Sequence, residues 1–169
     1  MFDHSTEFTC TLADEAATLA LGGALAGTLQ PGMVVYLSGD LGVGKTTLAR
    51  GVLRGLGFEG RVKSPTFTLV EPYAISRLYL YHFDFYRFAG SQNPQEFREA
   101  GFGEYFTAES VCLVEWPEKA AGLPAADLKL VLNVQGLGRH VAIFAHSEAG
   151  ASCLEKLITQ FPLLIPRAL

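Results

Sequence analysis

The stretch Gly39-Asp40-Leu41-Gly42-Val43-Gly44-Lys45-Thr46-Thr47 restricts the fold more than any other part of the chain. Upstream, Met33 to Ser38 is a short apolar run; downstream, Leu48, Val52, Leu53 and Leu56 recur at helical spacing until Gly57 interrupts them. The segment therefore joins a strand to a helix. That context is required of the pattern G-x-x-x-x-G-K-S/T, matched here by Gly39, Gly44, Lys45 and Thr46. Gly39, Gly42 and Gly44 can take backbone angles closed to other residues, so their N–H groups can approach phosphate oxygens at the positive end of the next helix. Lys45 would neutralise β and γ phosphates, and the Thr46 hydroxyl would be a ligand for Mg²⁺, which prefers hard oxygens. All nine residues from Gly39 to Thr47 are thus candidates to line a nucleotide. The alternative is an accidental glycine-rich turn, which the two correct flanks disfavour.

With 169 residues, 49% of them apolar, the chain can bury one substantial core, and a single domain over 1–160 with a tail at 161–169 is expected. Thirteen basic against seventeen acidic residues give a net charge of −4, which argues against a broad basic surface tracking DNA or RNA. Cys10, Cys112 and Cys153 are scattered, without a C-x-x-C pair or metal-ligand spacing, so a reducing cytoplasm is expected rather than a disulfide framework. No basic-then-apolar leader opens the sequence and no apolar run approaches a membrane span.

Ahead of the glycine-rich loop, the chain from Phe8 reads as extended and then as a helix starting near Thr11, a candidate cap, and stopped by Gln30-Pro31-Gly32. Leu12, Leu19, Ala26 and Leu29 supply part of its apolar face. It is either a packing helix or one whose first turn borders the nucleotide base. After the loop helix, Ser64-Pro65-Thr66 punctuates the entry to an alternating strand from Phe67. Its hydroxyls either meet a γ-phosphate or its metal, as switch segments do, or form an ordinary Ser-Pro turn.

A short connection at Ile75-Ser76-Arg77 makes the next alternating run the second strand of a hairpin, ending at Asp84. A strand-end aspartate there is either a Walker-B-like holder of Mg²⁺ or a turn former. His82 reads as a packed or surface side chain, since no partner stands at metal spacing. Asn93-Pro94 opens a short helix that Gly101 ends, and a loop follows. Val111 to Glu118 is a compact buried strand closed by Glu115, Trp116 and Pro117, which puts a second acid and an indole at the ligand-binding edge of an α/β sheet. A surface acid beside a core tryptophan is the competing reading. Two further alternating runs flank Gln135-Gly136-Leu137-Gly138 as a second hairpin. Arg139 opens its return strand and is either a solvated strand end or a contact to phosphate or base. Ser152 to Phe161 fits a terminal helix, and the apolar tail beyond it docks or stays loose.

In order, GDLGVGKTTLARG, SPTFTLVEPY, YHFDFYR and CLVEWPE resemble the TsaE (YjeE) family of bacterial tRNA threonylcarbamoyladenosine synthesis, over about Leu12 to Glu118. The resemblance implies a P-loop α/β fold of three layers: a mixed central sheet with antiparallel hairpins and helices on both sides. It implies weak intrinsic hydrolysis of ATP with Mg²⁺, and TsaB and TsaD as partners, on which the ATP-bound protein docks so that hydrolysis sustains threonylcarbamoyl transfer to tRNA. By the same resemblance Lys45 binds phosphate, Thr46 and Glu115 hold or position Mg²⁺, and Asp84 is the acid of YHFDFYR. Thr66 lies in the switch, Trp116 follows the metal-site acid, and Glu15 sits near the base.

Three rival readings bear on the same loop. A guanine-nucleotide switch would need an N-K-x-D motif and a glycine after Asp84 in D-x-x-G, and has neither. A small-molecule kinase would need a substrate pocket and an arginine-rich lid. A nucleotide-gated binding protein, with ATP setting a conformation for a partner, overlaps the TsaE reading.

Overall fold

The computed structural model describes residues 7–75, 78–88 and 92–163, with the backbone of 165–166. Strand β1 (Glu7–Leu12) runs into helix α1 (Glu15–Ala26). The helix cap is Asp14, whose carboxylate accepts from the Ala17 N–H at 2.9 Å, and not Thr11. Thr11 is still strand, held in register opposite His140, so pairing across the sheet overrides its capping tendency. Gly27 ends α1, short of Gln30-Pro31-Gly32.

Strand β2 (Val34–Ser38) leads through the glycine-rich loop into helix α2 (Lys45–Gly55). Strands β3 (Val70–Ile75) and β4 (Leu78–Asp84) pair antiparallel as the expected hairpin, and Ser76 and Arg77, which the sequence puts at its connection, lie outside the described residues. The strand expected from Phe67 begins only at Val70. The intervening chain folds as a turn closed by the Leu69 N–H to the Pro65 carbonyl at 2.6 Å, with Leu69 at φ +67°.

Asn93 caps helix α3 (Pro94–Glu99), and the expected loop after it tightens into a 3-10 turn at Phe102–Tyr105. Strand β5 (Ser110–Glu115) is buried at every residue. Strands β6 (Leu128–Gln135) and β7 (Gly138–Ala145) form the second hairpin around Gly136-Leu137. Helix α4 (Glu148–Gln160) starts earlier than Ser152, because the Ser147 hydroxyl caps it at the Gly150 N–H. Within the tail, strand β8 (Ile165–Pro166) pairs with Phe8 and Thr9 at the sheet edge.

The strands assemble as β3-β4-β5-β2-β6-β7-β1-β8, with β2 parallel to both β5 and β6 and β4 parallel to β5. Period-two alternation then sorts side chains between two cores. Val35, Leu37, Leu113, Leu130 and Ile143 pack against Leu25 of α1, Leu48 and Val52 of α2 and Leu157 of α4. Val34, Cys112, Val114 and Phe83 pack on the other face with Phe85, Phe97 and Phe102. Each such buried side chain contributes about 1.5–3 kcal/mol, which fixes the strand register firmly. The result is the mixed, three-layer α/β fold expected from the sequence.

Two consequences place the site. Parallel β4, β5 and β2 bring Asp84, Glu115 and the glycine-rich loop to one edge of the sheet. Helices α1 and α2 touch at glycines: a Cβ on Gly22 would lie 2.4 Å from the Leu48 carbonyl oxygen, and one on Gly51 the same distance from that of Leu19. This close approach holds the first turn of α1 beside the loop.

Candidate functional site

The loop backbone is built on left-handed glycines. Gly39 has φ +145°, and a Cβ there would sit 2.5 Å from the Leu132 carbonyl oxygen. Gly44, at φ +114°, ends the loop as the N-cap of α2 but has no side chain to bond the first-turn amides, leaving the positive end of the helix for an anion. The Lys45 side chain folds back over the loop. Its ammonium donates to the carbonyls of Gly39 and of Asp40, the latter at 2.9 Å, and lies 4.2 Å from the centroid of the Trp116 ring. Burial pushes the Lys45 pKa down, opposed by the charges of Glu115, Asp84, Glu118 and Asp40.

Glu115 is 2% exposed at the end of β5. Both its carboxylate oxygens lie 3.1 Å from the Thr46 hydroxyl, and Oε2 is 2.5 Å from His82 Nε2. Asp84, its register partner on β4, accepts from the Tyr86 N–H at 2.9 Å and from the Thr66 hydroxyl at 3.3 Å. The Asp84 N–H donates to the Leu69 carbonyl at 3.0 Å, so the turn carrying Thr66 is tied to this strand end at two points. Burial raises the Asp84 pKa, helped by the neighbouring Glu115 charge; the hydrogen bonds from Tyr86 and Thr66 and the His82 ring oppose it. A non-glycine residue at positive φ adjoins each acid: Leu69, at +67°, accepts from the Asp84 N–H, and Trp116, at +55°, directly follows Glu115. Such conformations persist where surrounding structure over-determines them, and they cluster at functional sites.

On the other side of the loop lies a pocket of ≈ 200 Å³ lined by Glu15, Thr18, Gly42, Thr47, Leu137 and Arg139 among others. Arg139 Nε donates to the Val43 carbonyl at 2.7 Å, so this strand-end arginine grips the loop itself. Glu15 pairs with Arg50 at 3.5 Å and keeps its carboxylate 70% exposed.

The fold thus gathers the predicted residues into two groups around one loop. Lys45, Thr46, Thr66, Asp84, Glu115 and Trp116 stand at the strand-end side, and Glu15, Thr47 and Arg139 at the pocket side. Sequence reasoning missed the part played by His82, which is packed as expected but bonded to Glu115. The available signal was its place two residues before Asp84, on the same strand face.

The donors near Lys45 suit a hard divalent cation: a threonine hydroxyl and carboxylates, with no thiol among the described contacts. Among the described residues no cluster of three or more His, Cys, Asp or Glu forms a ready-made cage. A hydroxyl with one or two carboxylates is a protein donor set that Mg²⁺ takes, completing its shell with phosphate and water. No helix among the described residues is long and apolar enough to cross a membrane.

A central parallel strand that runs through a G-x-x-x-x-G-K-T loop into a helix, with acids at the ends of adjoining strands, defines a protein of the P-loop α/β class. The family model described as "Threonylcarbamoyl adenosine biosynthesis protein TsaE" matches residues 12–141, and the chain belongs to the TsaE family. The tRNA threonylcarbamoyladenosine biosynthesis protein TsaE of Haemophilus influenzae is 42% identical over 147 residues, covering 83% of this chain and 91% of that protein. The protein of the same name from Bacillus subtilis is 41% identical over 120 residues, 70% of this chain and 73% of its own length. The crystal structure of Bacillus subtilis YdiB superposes with a TM-score of 0.77 at 31% identity, covering 93% of this chain and 98% of that one.

Proposed function

We propose that this protein is a Mg²⁺-dependent ATPase that supports N6-threonylcarbamoyladenosine modification of tRNA, acting on a TsaB-TsaD complex rather than on tRNA directly. The observation that carries the reading is the Thr46–Glu115 contact beside Lys45, 3.1 Å to each carboxylate oxygen. A hydroxyl, a buried acid and a lysine at the mouth of an uncapped helix are the groups a metal-nucleotide would need. Membership of the TsaE family supports the tRNA-modifying role.

In this reading Lys45 exchanges its two loop carbonyls for phosphate oxygens, and the first-turn amides of α2 supply further donors. Thr46 and Glu115, with Asp84, would hold Mg²⁺, and the chemistry that ion would supply there is neutralisation of charge on the phosphates. Buried Glu115 and Asp84 would also orient an attacking water, and Thr66 would sense the γ-phosphate through the turn it anchors. Glu15 and Arg139 border the base or ribose in the adjoining pocket.

The reading of a nucleotide-gated binding protein draws support from the apolar side chains around the loop: Leu41 is 69% exposed, Phe67 83% and Leu137 99%. Both readings are tested by titrating purified TsaB-TsaD into the protein and following ATP hydrolysis. A slow rate that rises on adding the complex supports the ATPase reading. Nucleotide-dependent association with no rise in turnover favours the gated binder, and no effect of either kind contradicts both.

A further inference from the structure

His82 lies on β4 and Glu115 on β5, and the parallel register sets Asp84 opposite Glu115. The residue two before Asp84 therefore shares its strand face, one step further into the sheet. His82 is wholly buried there, with Nε2 2.5 Å from Glu115 Oε2. Its other nitrogen, Nδ1, is buried without a hydrogen-bond partner. Since a carboxylate only accepts, Nε2 carries the hydrogen and donates, which leaves Nδ1 as the ring nitrogen without a partner.

A core-filling role does not account for this choice. Leucine or methionine would occupy similar space on a strand face otherwise lined by Leu80 and Leu113, with no orphaned nitrogen. The histidine does one thing an apolar residue cannot: it fixes one carboxylate oxygen. Glu115's other described partner, the Thr46 hydroxyl, is equidistant from both oxygens and has a single hydrogen, so it cannot by itself set the plane of the group. It is also the contact disturbed if a cation takes that hydroxyl as a ligand.

We infer that His82 is a positioning residue, whose Nε2–H holds the Glu115 carboxylate in the orientation that presents it to a divalent cation shared with Thr46. The inference rests on the proposed function, since it needs Glu115 to face Mg²⁺. Loss of a hydrogen-bonded outer group that orients a metal ligand typically costs roughly 10–100-fold in metal affinity.

The test compares ATP binding by calorimetry in Mg²⁺ and in a chelator, so that turnover is not the readout. In His82→Leu, affinity for metal-free ATP should stay at the wild-type value, while the gain from Mg²⁺ falls by roughly 10-fold or more. His82→Gln, which places an amide N–H near the Nε2 position, should recover most of that gain. A full Mg²⁺ gain in folded His82→Leu, or a glutamine variant no better than leucine, overturns the inference, as does a wild-type chain that gains nothing from Mg²⁺. Should His82→Leu not fold, the pair His82→Gln and His82→Asn decides. The gain kept by glutamine and lost by the shorter asparagine supports the inference; equal gains overturn it. A wild-type protein that binds ATP under neither condition would instead sink the proposed function itself.

Discussion

The Thr46 hydroxyl stands 3.1 Å from both carboxylate oxygens of Glu115, a residue 69 positions further along the chain. The contact exists because β2 and β5 are parallel neighbours with Leu37 opposite Glu115, so the turn leaving β2 brings the start of α2 over the end of β5. A glycine-rich loop alone can be accidental. A loop whose threonine meets a buried acid, with a buried lysine beside it, is a charged site assembled at some cost to the fold, since burying such groups is unfavourable unless they are paired.

Lys45→Ala should leave the protein folded and weaken ATP binding by roughly 100-fold, because each charge-assisted hydrogen bond lost is worth about 1.5–3 kcal/mol. Calorimetry with ATP and Mg²⁺ measures it. Wild-type affinity in the folded variant would mean that the loop does not cradle phosphate.

Arg139→Ala removes the 2.7 Å bond to the Val43 carbonyl and frees one side of the loop. Stability should fall by about 1 kcal/mol, a melting shift of roughly 2–4 °C. Nucleotide affinity should fall too, through a looser loop, and Arg139→Lys should not restore it, since an ammonium lacks the planar geometry of Nε. An alanine variant with unchanged melting and unchanged affinity would show the arginine to be a bystander.

Asp84 carries a pKa raised by burial, and the sign of its effect on stability follows. Above its folded pKa the carboxylate is charged in a setting that disfavours charge, so it costs stability; as pH falls through that value toward the unfolded one the cost is relieved. Asp84→Asn should therefore unfold at a higher temperature than the wild type at about pH 7, with the gap narrowing toward about pH 4. Melting curves of both proteins across that range check it. A gap that widens on acidification would contradict the assignment.

Much of this arrangement is legible in the sequence, for identifiable reasons. The loop, α2 and the strand-end acids are written in local spacing: glycines where φ is positive, a lysine and threonine after them, an alternating run that stops at Asp84 and a continuous apolar run that stops at Glu115. Element starts are less legible, because they depend on pairing elsewhere. Thr11 suits a cap by residue type, yet the β1–β7 register keeps it in the strand and Asp14 caps the helix instead. Alternation from Phe67 predicts a strand, yet the Leu69 carbonyl is taken by the Asp84 N–H and the preceding chain turns instead. The His82–Glu115 bond spans 33 positions and follows only from β4 and β5 being parallel, which no local pattern specifies.

The most direct test of the account is ATP turnover by Glu115→Gln beside Thr46→Ala. Glutamine keeps the size of Glu115 and can still bond Thr46 and His82, but it lacks the charge to hold Mg²⁺ or orient water in the transition state. Turnover, alone and with TsaB-TsaD, should fall by roughly 100-fold or more while affinity for metal-free ATP changes by less than about 10-fold. Thr46→Ala should weaken the Mg²⁺ dependence of both. Wild-type turnover in Glu115→Gln, with and without the complex, would contradict the claim that this strand end performs the chemistry.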